Sequence, residues 1–163
     1  MKVAFLIIDM QKGCREYCKC QREFDDAVEY INEVSSFFRK KGLPVVRVLD
    51  IEVGAGPGSE KFEFVDSIVT SPEDIIIHKE YNNAFFKTDL NDKLQKLGVE
   101  FVIISGFAAE YCVLFSYNGA KEMGYEVSLL QNGIAGFEYE EVKKMQLIRP
   151  VISVEALEYL LNS

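Results

Sequence analysis

EFVIISGFAAEYC, residues 100–112, runs from an apolar, β-branched core through glycine and small residues to a thiol. A run of Val and Ile with no polar alternation is the pattern of a strand buried on both faces of a parallel sheet. Two other stretches repeat it. VAFLIID ends in Asp9 and DIIIHK ends in Lys79, so a carboxylate, an ammonium and a thiol each follow a strand-like run. Open parallel sheets bind ligands outside the carboxyl ends of their strands, where Asp9, Lys79 and Cys112 can converge.

Between these runs the pattern changes to helical spacing. Phe24, Ala27, Val28, Ile31, Val34 and Phe38 recur every three or four residues before Lys40, Lys41 and Gly42, which predicts an amphipathic helix over 24–41. Strands are expected over 2–8, 43–49, 75–78, 101–105 and 125–130, with a short last one at 150–153. Thr88 and Ser153 are candidate helix caps, the first for a helix through Leu90, Leu94 and Leu97. Helices are also expected from about Cys112 to Gly124 and from Glu138 to Leu147. Strand and helix alternating in this way imply a three-layer α/β domain with right-handed crossovers. At 163 residues the chain is expected to be one domain, 1–163.

A formal charge of −8 without Lys/Arg clusters argues against nucleic acid and anionic membranes as partners and points to a small-molecule ligand. No run reaches transmembrane length, and Asp9 interrupts the first apolar run too early for a secretory leader. Cys14, Cys18 and Cys20 are too crowded for the spaced framework of a secreted mini-protein, so the expected compartment is a reducing cytoplasm. These three thiols are a weak metal signal without a fourth ligand and are read as incidental. The loop GAGPGS, 54–59, lacks the Lys-Ser/Thr ending of a phosphate cradle and reads as a mobile loop near the site.

Cysteine attacks as thiolate, and a neighbouring cation or a helix N-terminus favours that form. Cys112 stands where a strand turns into a helix, so main-chain amides there can also hold an oxyanion. Alone, it reads equally as a buried structural thiol. Asp9 can take the thiol proton and return it to a leaving amine, or simply end a strand as a turn residue. Tyr81, Phe85, Phe107 and Tyr111 bracket these positions and can wall a small apolar pocket or pack in the core. A phosphatase with Asp9 as nucleophile would need aspartate at position 11, which is Gln11.

LIIDMQ at 6–11, HKEYNNAFFKTDLNDKLQKLGV at 78–99 and VIISGFAAEYCVLFSYNGAKEMGYEV at 102–127 together resemble the isochorismatase-like cysteine hydrolases. That family includes nicotinamidases, carbamoylsarcosine-type amidases and ureidoacrylate amidohydrolases. The resemblance implies a six-stranded parallel sheet in the order 3-2-1-4-5-6 and a triad of Asp9, Lys79 and Cys112. It implies a cis peptide at Phe107–Ala108 that does not involve proline, with an oxyanion hole formed by the amides of Ala108 and Cys112. Phe85 matches the family's Ala-Phe pair. The implied reaction is hydrolysis of a small amide or ureide C–N bond through a thioester, by a homo-oligomer. The alternatives are vinyl-ether cleavage of the isochorismatase type and a non-catalytic binding protein on the same fold.

Two departures matter. Nicotinamidases bind a metal through an Asp-x-His pair after the second strand, whereas this chain has Asp50 and Glu52, and its single histidine, His78, reads as structural. No cofactor and no metal are therefore expected. Where the family pattern ends a strand in Asp-Ala, this chain has Gln131-Asn132.

Overall fold

The computed structural model describes residues 2–19 and 21–162. The strands are β1 (Val3–Ile8), β2 (Val45–Asp50), β3 (Ile75–Lys79), β4 (Phe101–Phe107), β5 (Glu126–Ala135) and β6 (Val151–Ile152). They form one parallel sheet in the order β3-β2-β1-β4-β5-β6. The helices are α1 (Lys12–Tyr17), α2 (Gln21–Lys40), α3 (Leu90–Lys96), α4 (Cys112–Glu122), α5 (Tyr139–Ile148) and α6 (Val154–Asn162), with a 3₁₀ turn at Glu60–Phe62.

The unbroken apolar run of β1 follows from its central place. Val3, Phe5 and Ile7 pack into one core with Phe24, Ile31 and Val34 of α2 and Leu157 of α6. Ala4, Leu6 and Ile8 pack into the other with Leu90 and Leu94 of α3, Val113 of α4 and Val142 of α5. All six β1 side chains are fully buried. A strand covered on both faces has no polar alternation, and each apolar Å² it removes from water contributes about 25 cal/mol.

Three elements differ from the sequence reading. Residues 12–17 form α1, a helix too short to show a periodicity, with only Gly13 and Cys14 buried. Leu43 and Pro44 precede β2 rather than opening it; the Pro44 carbonyl accepts from Phe5, but proline has no N–H to continue a ladder. β5 runs on to Ala135 through an irregularity: Ile104 pairs with Leu129 and Gly106 with Ile134, and Asn132 takes φ 60°. This bulge breaks the two-residue alternation and hides the strand's second half. Gln131 and Asn132 lie in it, exposed, with Asn132 N donating to Gln146 Oε1 at 3.1 Å.

Among the described residues no helix is long and apolar enough to cross a membrane. The 54–59 loop is folded upon Ser59, whose hydroxyl accepts from Ala55 N and donates to the Gly56 carbonyl. His78 is exposed on β3 and meets Phe62 edge to face, while Lys79 next to it is buried. Cys20 lies outside the described residues.

Candidate active site

The chain order β3-β2-β1-β4 reverses direction between β1 and β4, and the crevice beyond their carboxyl ends is the switch point of the sheet. The strands are pressed together there. Gly106 pairs with Ile8 at φ 114°, and a Cβ at this position would stand 2.0 Å from the Ile8 carbonyl oxygen. Glycine is required, because it alone accepts that angle and leaves that space empty.

Asp9 follows β1 in a left-handed conformation, φ 49°, with its amide donating to Val48 O. Lys79 closes β3 and Asp50, directly opposite it in the register, closes β2. Cys112 is the first residue of α4. These side chains meet. Lys79 Nζ lies 2.8 Å from Asp9 Oδ2, 2.9 Å from Asp50 Oδ2 and 3.3 Å from Cys112 Sγ. The Lys79 side chain is fully buried and Asp9 is 2% exposed.

The structure thus brings together Asp9, Lys79 and Cys112 and adds residues that the sequence reading did not place. In the sequence Asp50 stands out only as the counterpart of the nicotinamidase metal ligand. Gln11, fully buried, fixes Asp50 by its main chain: Nε2 donates to Asp50 O at 3.0 Å and to Phe62 O at 2.8 Å, and Oε1 accepts from Asp50 N at 2.9 Å. Asn82 Oδ1 lies 3.5 Å from Cys112 Sγ. Its loop is tied to α4 by buried Ser116, whose hydroxyl donates to Asn82 O and accepts from Ala84 N. A signal existed for one of them, the strand-end aspartate at 50.

Electrostatics divide the roles. Burial raises Asp9 from the ordinary carboxyl range to about 6, against the pull of Lys79 and the hydrogen bond from Cys112. Burial also raises the Cys112 thiol; the Asp9 charge adds to this and Lys79 opposes it. The direction is opposite to what a cation and a helix N-terminus alone would give. Burial acts against the Lys79 ammonium, but Asp9, Cys112 and Asp50 outweigh it and hold it above its usual value. At neutral pH the resting site therefore holds an ionised Asp9, a charged Lys79 and a protonated Cys112. Asp9 Oδ1 has no well-aligned hydrogen-bond partner, which leaves it free to receive a proton.

Main-chain donors stand beside this group. The Phe107–Ala108 peptide is cis. Ala109 N is engaged by Ala135 O, and the Ala108 carbonyl accepts from Tyr111 and Val113. Among the described residues, the amides of Ala108 and Cys112 donate to no protein acceptor.

The four aromatic candidates separate into two pairs. Phe85 is buried against Tyr125, and Phe107 is buried between Phe24 and Phe137. Tyr81 and Tyr111 keep exposed ring surface; Tyr81 packs on Phe86 under Lys87, and Tyr111 meets Phe137 edge to face. An open cleft of about 600 Å³ flanks the start of α4, lined by Glu110, Tyr111, Phe137, Glu138 and Glu141. Cys14 and Cys18 are buried in the α2-side core, and Cys18 Sγ donates to Gly136 O at 3.1 Å.

The donor set does not suit a divalent metal. Asp9, Asp50 and Cys112 place their ligand atoms within 4.8 Å of one another, but they surround the Lys79 ammonium, which occupies the cationic position itself. The other Asp50 oxygen accepts from Glu52 N, and the single histidine stands on the face of β3 opposite Lys79.

Comparison with known proteins places the chain by family and by fold. The family model of the isochorismatase domain matches residues 3–155. The isochorismatase family protein YddQ of Bacillus subtilis is 30% identical over 141 residues, 83% of this chain and 78% of YddQ. N-carbamoylsarcosine amidase from Thermoplasma acidophilum superposes with a TM-score of 0.79 at 23% identity, covering 94% of this chain and 95% of the amidase. The pyrazinamidase of Pyrococcus horikoshii, solved in complex with zinc, has a TM-score of 0.75 at 26% identity, covering 94% and 99%.

Proposed function

The chain belongs to the isochorismatase family, whose members are hydrolases, and from that premise we propose that it is a cysteine-dependent hydrolase opening an amide or ureide C–N bond of a small molecule. The observation that carries the reading is the Lys79 ammonium shared at hydrogen-bond distance between the Asp9 carboxylate and the Cys112 sulfur. A base, a cation and a nucleophile in contact beside unpaired amides are the parts that acyl transfer needs.

In the proposed mechanism a substrate carbonyl sits over Cys112 with its oxygen toward the amides of Ala108 and Cys112. Asp9 accepts the thiol proton as the C–S bond forms, and Lys79 steadies the negative charge that develops on the sulfur. The oxyanion collapses, the C–N bond breaks, and Asp9 returns the proton to the leaving nitrogen. Water then attacks the thioester carbonyl, giving a proton to Asp9; the C–S bond breaks, the acid leaves, and the thiol is restored. Each amide donor of this kind lowers an acyl-transfer barrier by roughly 3 to 4 kcal/mol. Tyr81 and Tyr111 wall the entrance, with Phe85 and Phe107 supporting from the core.

The surroundings favour an uncharged substrate. None of the five arginines faces the site: Arg15 pairs with Asp25, Arg22 with Asp26, Arg39 and Arg47 with Asp74, and Arg149 lies over Tyr117. Lys79 is already shared by two carboxylates. A carboxylate placed over Cys112 would meet Asp9 and Asp50 beside an ammonium they already share, whereas a neutral amide or ureide needs no free cation there.

The test is ammonia release from a panel of nicotinamide, pyrazinamide, carbamoylsarcosine and simple ureides, with Cys112→Ala as the blank. Release that the blank lacks, unchanged by EDTA, is the expected result. Equal release from the blank would refute the cysteine mechanism, and loss with EDTA restored by zinc would refute metal independence.

A further inference from the structure

We propose that Asp50 is a positioning residue of this site, holding the Lys79 ammonium between two carboxylates so that Lys79 is not committed to Asp9 alone. The inference deepens the reading of Asp9 as the base and rests on it.

Geometry carries it. Asp50 and Lys79 are register partners at the ends of β2 and β3, and Asp50 Oδ2 approaches Nζ at 2.9 Å, against 2.8 Å for Asp9 Oδ2. The Asp50 side chain is 17% exposed, so it meets Lys79 from the more open side while Asp9 meets it from within. Its aim is fixed independently of Lys79. Its Oδ1 accepts from Glu52 N, and its peptide groups on both sides are held by the buried Gln11 side chain. A carboxylate supported at so many points is pre-arranged rather than drawn in by its partner.

The consequence is a division of charge. The groups facing Asp9 are Lys79 from β3, Asp50 from β2, and the thiols of Cys112 from α4 and Cys14 from α1. Lys79 favours ionised Asp9, and a Lys79 paired with Asp9 alone would hold its proton affinity down, making it a poor acceptor for a thiol proton. A second carboxylate opposes that: Asp50 raises Asp9 by its charge and takes a share of the ammonium. The fixed charge of the cluster becomes −1 with Cys112 protonated, so a proton arriving at Asp9 is welcome.

The experiment measures alkylation of Cys112 by iodoacetamide against pH, followed by mass spectrometry at that residue so that the other thiols do not interfere. With Asp9 as base, the rate should fall on the acid side with a midpoint near Asp9's value of about 6. Asp50→Asn is expected to move this midpoint to lower pH, the direction set by removing a like charge beside Asp9. Asp50→Ser removes the same charge with a smaller side chain and should do the same. Asp50→Glu keeps the charge and should stay near the parent. Asp9→Asn should abolish the acid limb. A limb that vanishes in Asp9→Asn but stays in place in both neutral Asp50 variants overturns the role of Asp50 and leaves Asp9 as base. A limb that persists in Asp9→Asn overturns both.

Discussion

The Lys79 ammonium lies 3.3 Å from the Cys112 sulfur, although the two residues come from opposite sides of the switch point, β3 and α4. The same nitrogen binds the Asp9 and Asp50 carboxylates, so one buried cation neutralises the base and faces the nucleophile. Removing it would leave two carboxylates without a partner in a poorly solvated place.

Lys79→Met should therefore destabilise the fold by about 3 to 5 kcal/mol at neutral pH, the usual cost of orphaning a buried charge. Lys79 is held above its ordinary value, so its stabilising contribution is fully present at neutral pH and is lost only far into the alkaline range. The deficit of the variant should shrink as pH falls toward about 6, because Asp9 without the pull of Lys79 takes up its proton at a higher pH than in the parent. Urea unfolding at two pH values measures this. A deficit independent of pH would mean that the loss is one of packing rather than charge.

Asp9→Asn should be inactive and yet more stable at neutral pH. The Asp9 carboxyl rises from 3.8 in the unfolded chain to about 6 in the fold, with burial the main cause. For a raised acid the favourable contribution is present below the unfolded value and lost as pH rises through the folded one. Ionised Asp9 thus costs roughly 3 kcal/mol above pH 6, and an amide, unable to ionise, avoids it. Calorimetry should show the melting temperature of Asp9→Asn above the parent by several degrees at neutral pH, with the gap closing toward pH 4. A lower melting temperature at both pH values would show that Asp9 is bound more favourably than its burial implies.

Gly106→Ala tests the close approach of β4 to β1. The added carbon would stand 2.0 Å from Ile8 O and 2.6 Å from Ile8 N, both main-chain atoms that cannot swing away, at φ 114°. A loss of at least about 3 kcal/mol is expected, combining backbone strain with broken strand pairing. Gly124→Ala, with a positive φ and open space around its Cβ, is the control and should lose only about 1 kcal/mol. Comparable losses at the two sites would place the cost in backbone angle alone.

The parts of the site that were legible in the sequence are those that interrupt a pattern locally. Asp9, Lys79 and Cys112 each end an apolar run, and β1 announces itself by having both faces buried. Asp50 also ends a strand, but its partner Lys79 is 29 residues away and only the β2–β3 register brings them opposite. Gln11 was opaque for the same reason, since its bonds reach 39 and 51 residues along the chain. α1 was hidden by its six-residue length, and the second half of β5 by the bulge at Asn132. The Cys112 thiol went the other way from its local context: a strand-to-helix turn suggests acidity, whereas depth and the Asp9 charge set the outcome. Depth is a property of the assembled layers and has no signature in a short stretch.

Ser116→Ala probes the support of the site from α4. The fully buried hydroxyl accepts from Ala84 N at 2.9 Å and donates to Asn82 O at 3.3 Å, tying the loop after β3 to the helix that carries Cys112 one turn earlier. Alanine fits the space but leaves both main-chain groups without their partner, at a cost of about 1 to 3 kcal/mol. The chemistry should suffer more than stability suggests, because Asn82 Oδ1 lies 3.5 Å from Cys112 Sγ and depends on that loop for its place. The expected outcome is a folded variant whose acid limb for Cys112 alkylation stays near 6, since Asp9, Asp50 and Lys79 are untouched, while hydrolysis on the substrate found by the panel slows at least about tenfold. Ser116→Thr, which keeps the hydroxyl, should recover most of the rate. Full hydrolytic activity in Ser116→Ala would show that the loop holds its position without this tie.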